Sequence, residues 1–223
     1  MDNGRIRNIL WDWNGTLLND MDLCIDCMNI LLKERSLPKL SHDFYKEVFT
    51  FPIRDYFLKI GFDFSKEAFE LPADKFVVLY NQRYPEASLF DGAAEALEHF
   101  RNLGIRQFVL SAQEHELLGR LLEYFNIRHF FEAVTGTTDN YAHSKLEAGR
   151  RLIAGGNLEP AETIMIGDTI HDHEVATSLG IPCLLISHGH QSAGRLNSTG
   201  SPVMNGYGDI SRHLEAHYSE AGR

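Results

Sequence analysis

Short apolar runs alternate along this chain with longer stretches of helical period. Arg7–Trp11 (RNILW) is long enough for one buried strand and breaks at Asp12 into the turn-rich DWNGTLLND. From Met21 the period changes: Met21, Cys24, Ile25, Met28, Leu31 and Leu32 recur at helical spacing, with Asp20 as expected N-cap and an end before Pro38. Ser41 is the expected N-cap of a helix reaching about Phe49. Pro52 opens another that Gly61 closes, and Ser65 and Pro72 mark further starts. Residues 18–86 therefore read as all helical.

After Pro85 the texture alternates. The pattern predicts helix Gly92–Leu103 closed by Gly104, strand Ile105–Leu110, helix Glu114–Phe125, short strand Phe130–Val134 and helix Ser144–Ala154. Strand Thr163–Ile166 ends at Gly167, helix Asp172–Leu179 is closed by Gly180, and strand Ile181–Ile186 follows. His188–Tyr207, rich in Gly, Ser and Asn, reads as loop before a last helix, Ile210–Tyr218. Alternating strands and helices predict an α/β fold, a Rossmann-like parallel sheet with helices on both faces. Its core is expected from residues 1–17 and 87–223, with 18–86 inserted as a helical cap. Such folds bind ligands at the carboxyl ends of their strands. Asp12, Ser111, Asp168 and His188 all stand just after apolar runs.

Length and composition narrow the class. At 223 residues the chain is one domain, or one with an insertion, by the prior of ~150 residues per domain. It is 43% hydrophobic and carries a formal charge of −10, so a nucleic-acid backbone or an anionic membrane is not the expected partner. No apolar run approaches the ~18 residues of a membrane span. The start, MDNGRIRNIL, lacks the apolar stretch of a secretion signal. Three cysteines, an odd number, make no disulfide framework, and a reducing cytoplasm is expected. Oligomeric state is not legible.

The candidate chemistry is acidic. Asp12, at a strand end before Gly15–Thr16, offers a carboxylate nucleophile. Gly167-Asp168-Thr169-Ile170-His171-Asp172 puts two carboxylates four residues apart on a loop, a donor set suited to Mg²⁺. Ser111 offers a hydroxyl and nearby backbone N–H groups for a phosphoryl oxygen. Lys145, at a helix start, offers a neutralising cation.

In this order, Asp12-Trp13-Asn14-Gly15-Thr16, Ser111, Lys145 and Gly167-Asp168 through Asp172 resemble the four motifs of the haloacid dehalogenase superfamily of Mg²⁺-dependent phosphohydrolases. The insertion after the first motif, Phe90-Asp91-Gly92 and Leu179-Gly180-Ile181-Pro182 look like its phosphoglycolate phosphatase-like branch. The resemblance covers nearly the whole chain. It implies that Asp12 attacks phosphorus and forms an aspartyl-phosphate. It also implies that Asp12, the Asn14 backbone carbonyl and Asp168 hold Mg²⁺, with Asp172 nearby. Thr16, Ser111, Ala112 and Lys145 are then expected against a small phosphorylated substrate, phosphoglycolate-like or a sugar phosphate. Arg54 stands where related caps can carry a substrate-contacting arginine.

The chain departs from that pattern at Asn14. Most phosphatases of the family have an aspartate there, which protonates the leaving oxygen and later activates water, and an amide does neither. Such catalysis typically contributes ~10²–10⁴-fold. Three readings follow. One is a phosphatase whose acid is supplied otherwise, for example by His171, or whose leaving group needs little help. Another is a carbon–phosphorus hydrolase of the phosphonoacetaldehyde type using a cap lysine among Lys46, Lys59, Lys66 and Lys75. The third is a phosphate-binding or regulatory protein with little turnover. Cys24 and Cys27 read as helix packing. The pairs His171/His173 and His188/His190 read as loop histidines near an anionic site, with transition-metal binding as the alternative.

Overall fold

The computed structural model describes residues 5–137 and 145–218. The chain opens with strand β1 (Asn8–Trp11) and a two-residue strand β2 (Leu18–Asn19). Four helices follow: α1 (Met21–Glu34), α2 (His42–Val48), α3 (Ile53–Lys59) and α4 (Glu70–Arg83). Then come β3 (Ser88–Leu89), α5 (Ala93–Asn102), β4 (Arg106–Glu114), α6 (His115–Tyr124) and β5 (Ala133–Thr137). Helix α7 (Lys145–Gly156), β6 (Thr163–Gly167), α8 (Ile170–Leu179), β7 (Cys183–Ile186), α9 (Ala193–Asn197), β8 (Val203–Met204) and α10 (Tyr207–Tyr218) complete it.

Six strands form one sheet in the order β5-β4-β1-β6-β7-β8, every pair parallel. Successive side chains of a strand face opposite ways, and β1 shows it. Ile9 and Trp11 pack with Leu97, Leu118 and Ile210, from α5, α6 and α10. Leu10 packs on the other side with Leu152, Val175 and Leu196, from α7, α8 and α9. A sheet covered on both faces explains why its strands read as continuous apolar runs.

Helices α1–α4 have a hydrophobic cluster of their own, built from residues such as Met28, Leu31, Tyr45, Phe57 and Phe69. The chain enters and leaves this helical segment through an antiparallel ribbon, Leu18 opposite Leu89 and Asn19 opposite Ser88. Core residues hold the end of α2. Gln191 Nε2 donates to the Phe49 carbonyl at 2.9 Å, and the Arg195 guanidinium donates to the carbonyls of Lys46 and Phe49 at 2.9 and 2.6 Å.

Several boundaries differ from expectation for local reasons. Ser65 starts no helix: its N–H and hydroxyl both bond the Asp63 carboxylate, closing a turn instead. Helix α4 begins at Glu70, two residues before Pro72. Ser111 lies inside β4 and not after it, because the strand continues through a register shift to Glu114. The strand expected at Phe130–Val134 begins at Ala133, after a 3₁₀ turn. Helix α8 begins at Ile170, where the Thr169 side chain and Asp172 form a reciprocal capping box. The stretch expected as loop after His188 holds α9 and the edge strand β8. Ser144, the expected start of the helix before β6, lies outside the described residues. Among the described residues no helix is long and apolar enough to cross a membrane.

Candidate active site

Asp12, Ser111, Lys145, Asp168 and Asp172 come together at the carboxyl ends of the strands. The Asp12 N–H continues the sheet by donating to the Ile166 carbonyl at 2.8 Å, which anchors the residue just past β1. Lys145, first residue of α7, places Nζ 2.5 Å from Asp12 Oδ1 and 2.6 Å from Asp172 Oδ1. Asp172 is held from its other oxygen by the Thr169 hydroxyl and N–H, at 2.6 and 3.0 Å. Asp168 accepts from the Thr16 hydroxyl at 3.0 Å and from the His190 N–H at 2.7 Å. Gly15 sits at φ +74°, and a Cβ there would collide with the Asp168 carboxylate and the His190 ring. Only glycine lets these strand ends meet so closely.

The site carries more negative charge than its lysine neutralises. Oxygens of Asp12, Asp168 and Asp172 lie within 4.8 Å of one another, and all three residues are buried. Burial, reinforced by the charges of Asp172 and Asp168, pushes the Asp12 carboxyl up to about 8, although Lys145 opposes the shift. Burial and Asp172 push Asp168 up to about 6 against the pull of His190. Burial also opposes ionisation of Asp172, but Lys145 and the Thr169 hydroxyl outweigh it and hold this carboxyl below its usual range. Lys145 is disfavoured by burial yet held above its ordinary value by Asp12 and Asp172. Three converging hard oxygen donors with one compensating cation fit a small divalent cation such as Mg²⁺.

A second buried cluster adjoins the first. Asp20 does not cap α1 with its side chain. Its carboxylate accepts from Asn14 Nδ2 at 2.8 Å, the Tyr80 hydroxyl at 2.7 Å and the Gly15 N–H at 3.2 Å. His190 Nε2 lies 3.2 Å from its Oδ1, and the Cys24 thiol donates to its Oδ2 at 3.6 Å. On its other side the His190 ring is 2.9 Å from the Tyr45 hydroxyl. Burial works against both charges. His190, Tyr80 and Asn14 nevertheless hold Asp20 below its ordinary value, and Asp20 with Asp168 and Asp12 lifts His190 to about 9. The pair is thus a buried imidazolium and carboxylate.

The remaining expected residues are placed as follows. Thr16 lies against Asp168, and Ser111 and Ala112 line the cavity beside Asp12. The Ser111 hydroxyl accepts from the Gln113 N–H at 3.0 Å. Arg54 is not in that lining. Its guanidinium lies over the rings of Phe64 and Phe69, 4.9 and 5.8 Å from their centroids, so cation–π packing on the cap holds it away. His171 faces Phe51 at 4.8 Å, is held below its ordinary value by burial and Lys145, and is also outside the lining. The histidine pairs separate: His173 meets Ser201, His188 stacks on Phe90 at 3.7 Å, and only His190 enters the site. Cys27 is buried packing, whereas Cys24 also lines the cavity. Asp20, Tyr45 and Tyr80 were not legible as site residues. Asp20 had the position of an ordinary cap, and nothing in the spacing of Tyr45 and Tyr80 set them apart from other helix residues.

The model for haloacid dehalogenase-like hydrolases matches residues 9–186. The chain is 28% identical to the phosphoglycolate phosphatase of Caulobacter vibrioides over 192 residues, covering 82% of this chain and 79% of that protein. It is 24% identical to tyrosine-protein kinase PtkA of Mycobacterium tuberculosis over 214 residues, 93% of this chain and 71% of the relative. In fold it is similar to a predicted phosphatase from Clostridium acetobutylicum, with a TM-score of 0.83 at 18% identity, covering 96% of this chain and all of the other. With the matched region running from β1 through β7 and its motifs converging at one set of strand ends, the chain belongs to the haloacid dehalogenase-like hydrolase family.

Proposed function

We propose that this hydrolase is a Mg²⁺-dependent phosphatase that works through an aspartyl-phosphate on Asp12. The observation that carries the reading is Lys145, bonded at once to Asp12 and Asp172 in a buried group of three carboxylates. A carboxylate approaching a phosphate dianion meets strong repulsion, so phosphoryl transfer depends on positioning and on neutralising charge. Asp12 is the nucleophile. Lys145 shields the incoming phosphoryl group, and the Ser111 hydroxyl with neighbouring N–H groups takes its oxygens. Asp12, the Asn14 backbone carbonyl and Asp168 would hold Mg²⁺, with Asp172 beside them. When bound, the ion would supply further charge neutralisation and favour the ionised form of Asp12. The odd cysteine count supports a cytoplasmic setting.

Two other readings are less well supported. A carbon–phosphorus hydrolase would need a Schiff-base lysine facing the site, and Lys46, Lys59, Lys66 and Lys75 are all absent from the cavity lining. A binding protein with little turnover would not require a buried carboxylate paired to a buried lysine. The test is acid-quenched labelling with a ³²P-phosphate ester and Mg²⁺. We expect transient label on Asp12 and none in Asp12→Asn. Phosphate release without any covalent label would overturn the mechanism, and phosphate binding without release would favour the binding-protein reading.

A further inference from the structure

On the basis of that phosphatase reading, we propose that the substrate is an aryl phosphate monoester. Its ring sits in the apolar cavity under the cap, and its phenolate departs without a proton from position 14. This lining favours such a ring over phosphoglycolate and sugar phosphates.

The lining carries the first part of the inference. Beside Asp12 lies a cavity of about 180 Å³ whose cap side is mainly apolar, with Met28, Phe49, Ile53, Phe76 and Val77 beside the polar Tyr80 and Asn81. An apolar cavity of ~150 Å³ is enough to hold benzene. Among the described residues the lining has two basic side chains, Lys145 and His190, and both already pair with buried carboxylates. The cation expected from the cap, Arg54, is packed elsewhere. A carboxylate or a polyhydroxylated sugar entering here would lose its water to aromatic faces with little in exchange. An aromatic ring gains from the same transfer.

Asn14 carries the second part. Its amide donates to both Asp20 and Tyr80, at 2.8 and 2.9 Å, and has no proton to give a leaving oxygen. An alkoxide leaves poorly without one. A phenol, with a pKa of about 10, leaves as an anion far more readily. Asp12 would bond to phosphorus as the bond to the aryl oxygen breaks and its electron pair departs with the phenolate. Water then cleaves the aspartyl-phosphate. One of its protons ends on the phenol and the other on hydrogen phosphate, and Asp12 is restored.

Tyr56 adds a polar detail to an apolar wall. It lines the cavity, is 3% exposed, and its hydroxyl has no hydrogen-bond partner among the described residues. Buried hydroxyls are rarely left so. A hydrogen-bonding substituent on the ring would satisfy it.

The test compares kcat/KM of the Mg²⁺-loaded protein for phenyl phosphates of graded phenol pKa with that for phosphoglycolate and glucose 6-phosphate. We expect the aryl esters to lead by at least ~10²-fold, and the rate to rise as the phenol becomes more acidic. Equal or faster turnover of phosphoglycolate or the sugar phosphate would overturn the inference and leave the phosphatase reading intact. Calorimetric binding of phenylphosphonate against phosphonoacetate separates the two questions. Tighter phenylphosphonate with no turnover of any ester would sink the phosphatase reading while upholding the cavity assignment; tighter phosphonoacetate would overturn the assignment. Val77→Arg is expected to reverse the preference, and an unchanged preference counts against the ring's placement. Tyr56→Phe should weaken 4-hydroxyphenylphosphonate ~10-fold and spare phenylphosphonate. Equal losses would remove Tyr56 from the proposal.

Discussion

The Asn14 amide donates to the Asp20 carboxylate at 2.8 Å, six residues further along the chain and just past β2. This contact alters what the sequence predicts for position 14. From the motif alone, Asn14→Asp should raise the rate at least ~10-fold by restoring an acid. In the folded protein the new carboxylate would meet Asp20, and two carboxylates at that distance do not both ionise easily. We expect Asn14→Asp alone to gain less than ~10-fold on alkyl phosphates, and Asn14→Asp with Asp20→Asn to gain more than ~10-fold. Steady-state kinetics of both variants decide it; a single variant that matches the double would show that Asp20 does not interfere.

Lys145 sits between two buried carboxyl groups, so removing its charge leaves Asp172 buried without its cation and pushes Asp12 further up. Lys145→Met is expected to cost about 3–5 kcal/mol of stability in chelator and at least ~10² in kcat. Urea unfolding and phosphate release measure the two effects separately.

The metal-free protein should lose stability as pH rises through the neutral range. His190 is raised from 6.5 to about 9, so its contribution is complete below pH 6.5 and is lost as pH rises through about 9. Asp12, raised from 3.8 to about 8, has the same sign: its ionisation in the folded state is resisted, and stability falls as pH rises towards 8. A bound divalent cation favours the ionised carboxylates. The rise in melting temperature on adding Mg²⁺ should therefore be larger at pH 8 than at pH 6. A Mg²⁺ shift independent of pH in thermal melts would contradict these assignments.

Arg54→Ala should change kcat/KM by less than ~2-fold, because the guanidinium lies over Phe64 and Phe69 and not in the cavity. A loss of ~10-fold or more with unchanged melting temperature would return this residue to substrate binding.

The sheet core was legible because strands buried on both faces leave unbroken apolar runs, as RNILW and TIMI do. The residues after those runs could then be placed at a common edge by the rule for parallel sheets. Asp12, Ser111 and Asp168 were found in that way, and Lys145 by its place at a helix start. Local competition was harder to see. Ser65 and Asp20 both have the side chains of helix caps, yet one closes a turn on Asp63 and the other turns its carboxylate to Asn14, Tyr80 and His190. Those choices depend on partners far away in the chain. Arg54 shows the same limit, since position in a motif does not reveal which aromatic faces lie within its reach.

Tyr80 and Tyr45, both on cap helices, bond to Asp20 and His190, which in turn hold the Gly15 loop after Asp12 and the Asp168 carboxylate. Swinging the cap outward on its ribbon would part Tyr45 from His190, Tyr80 from Asn14, and Asp20 from both Asn14 and His190 at once. The two halves of the molecule are therefore not merely a lid and a vessel. The reactive edge of the sheet is assembled in part from the lid's own hydroxyls, so an open molecule would also be a chemically incomplete one.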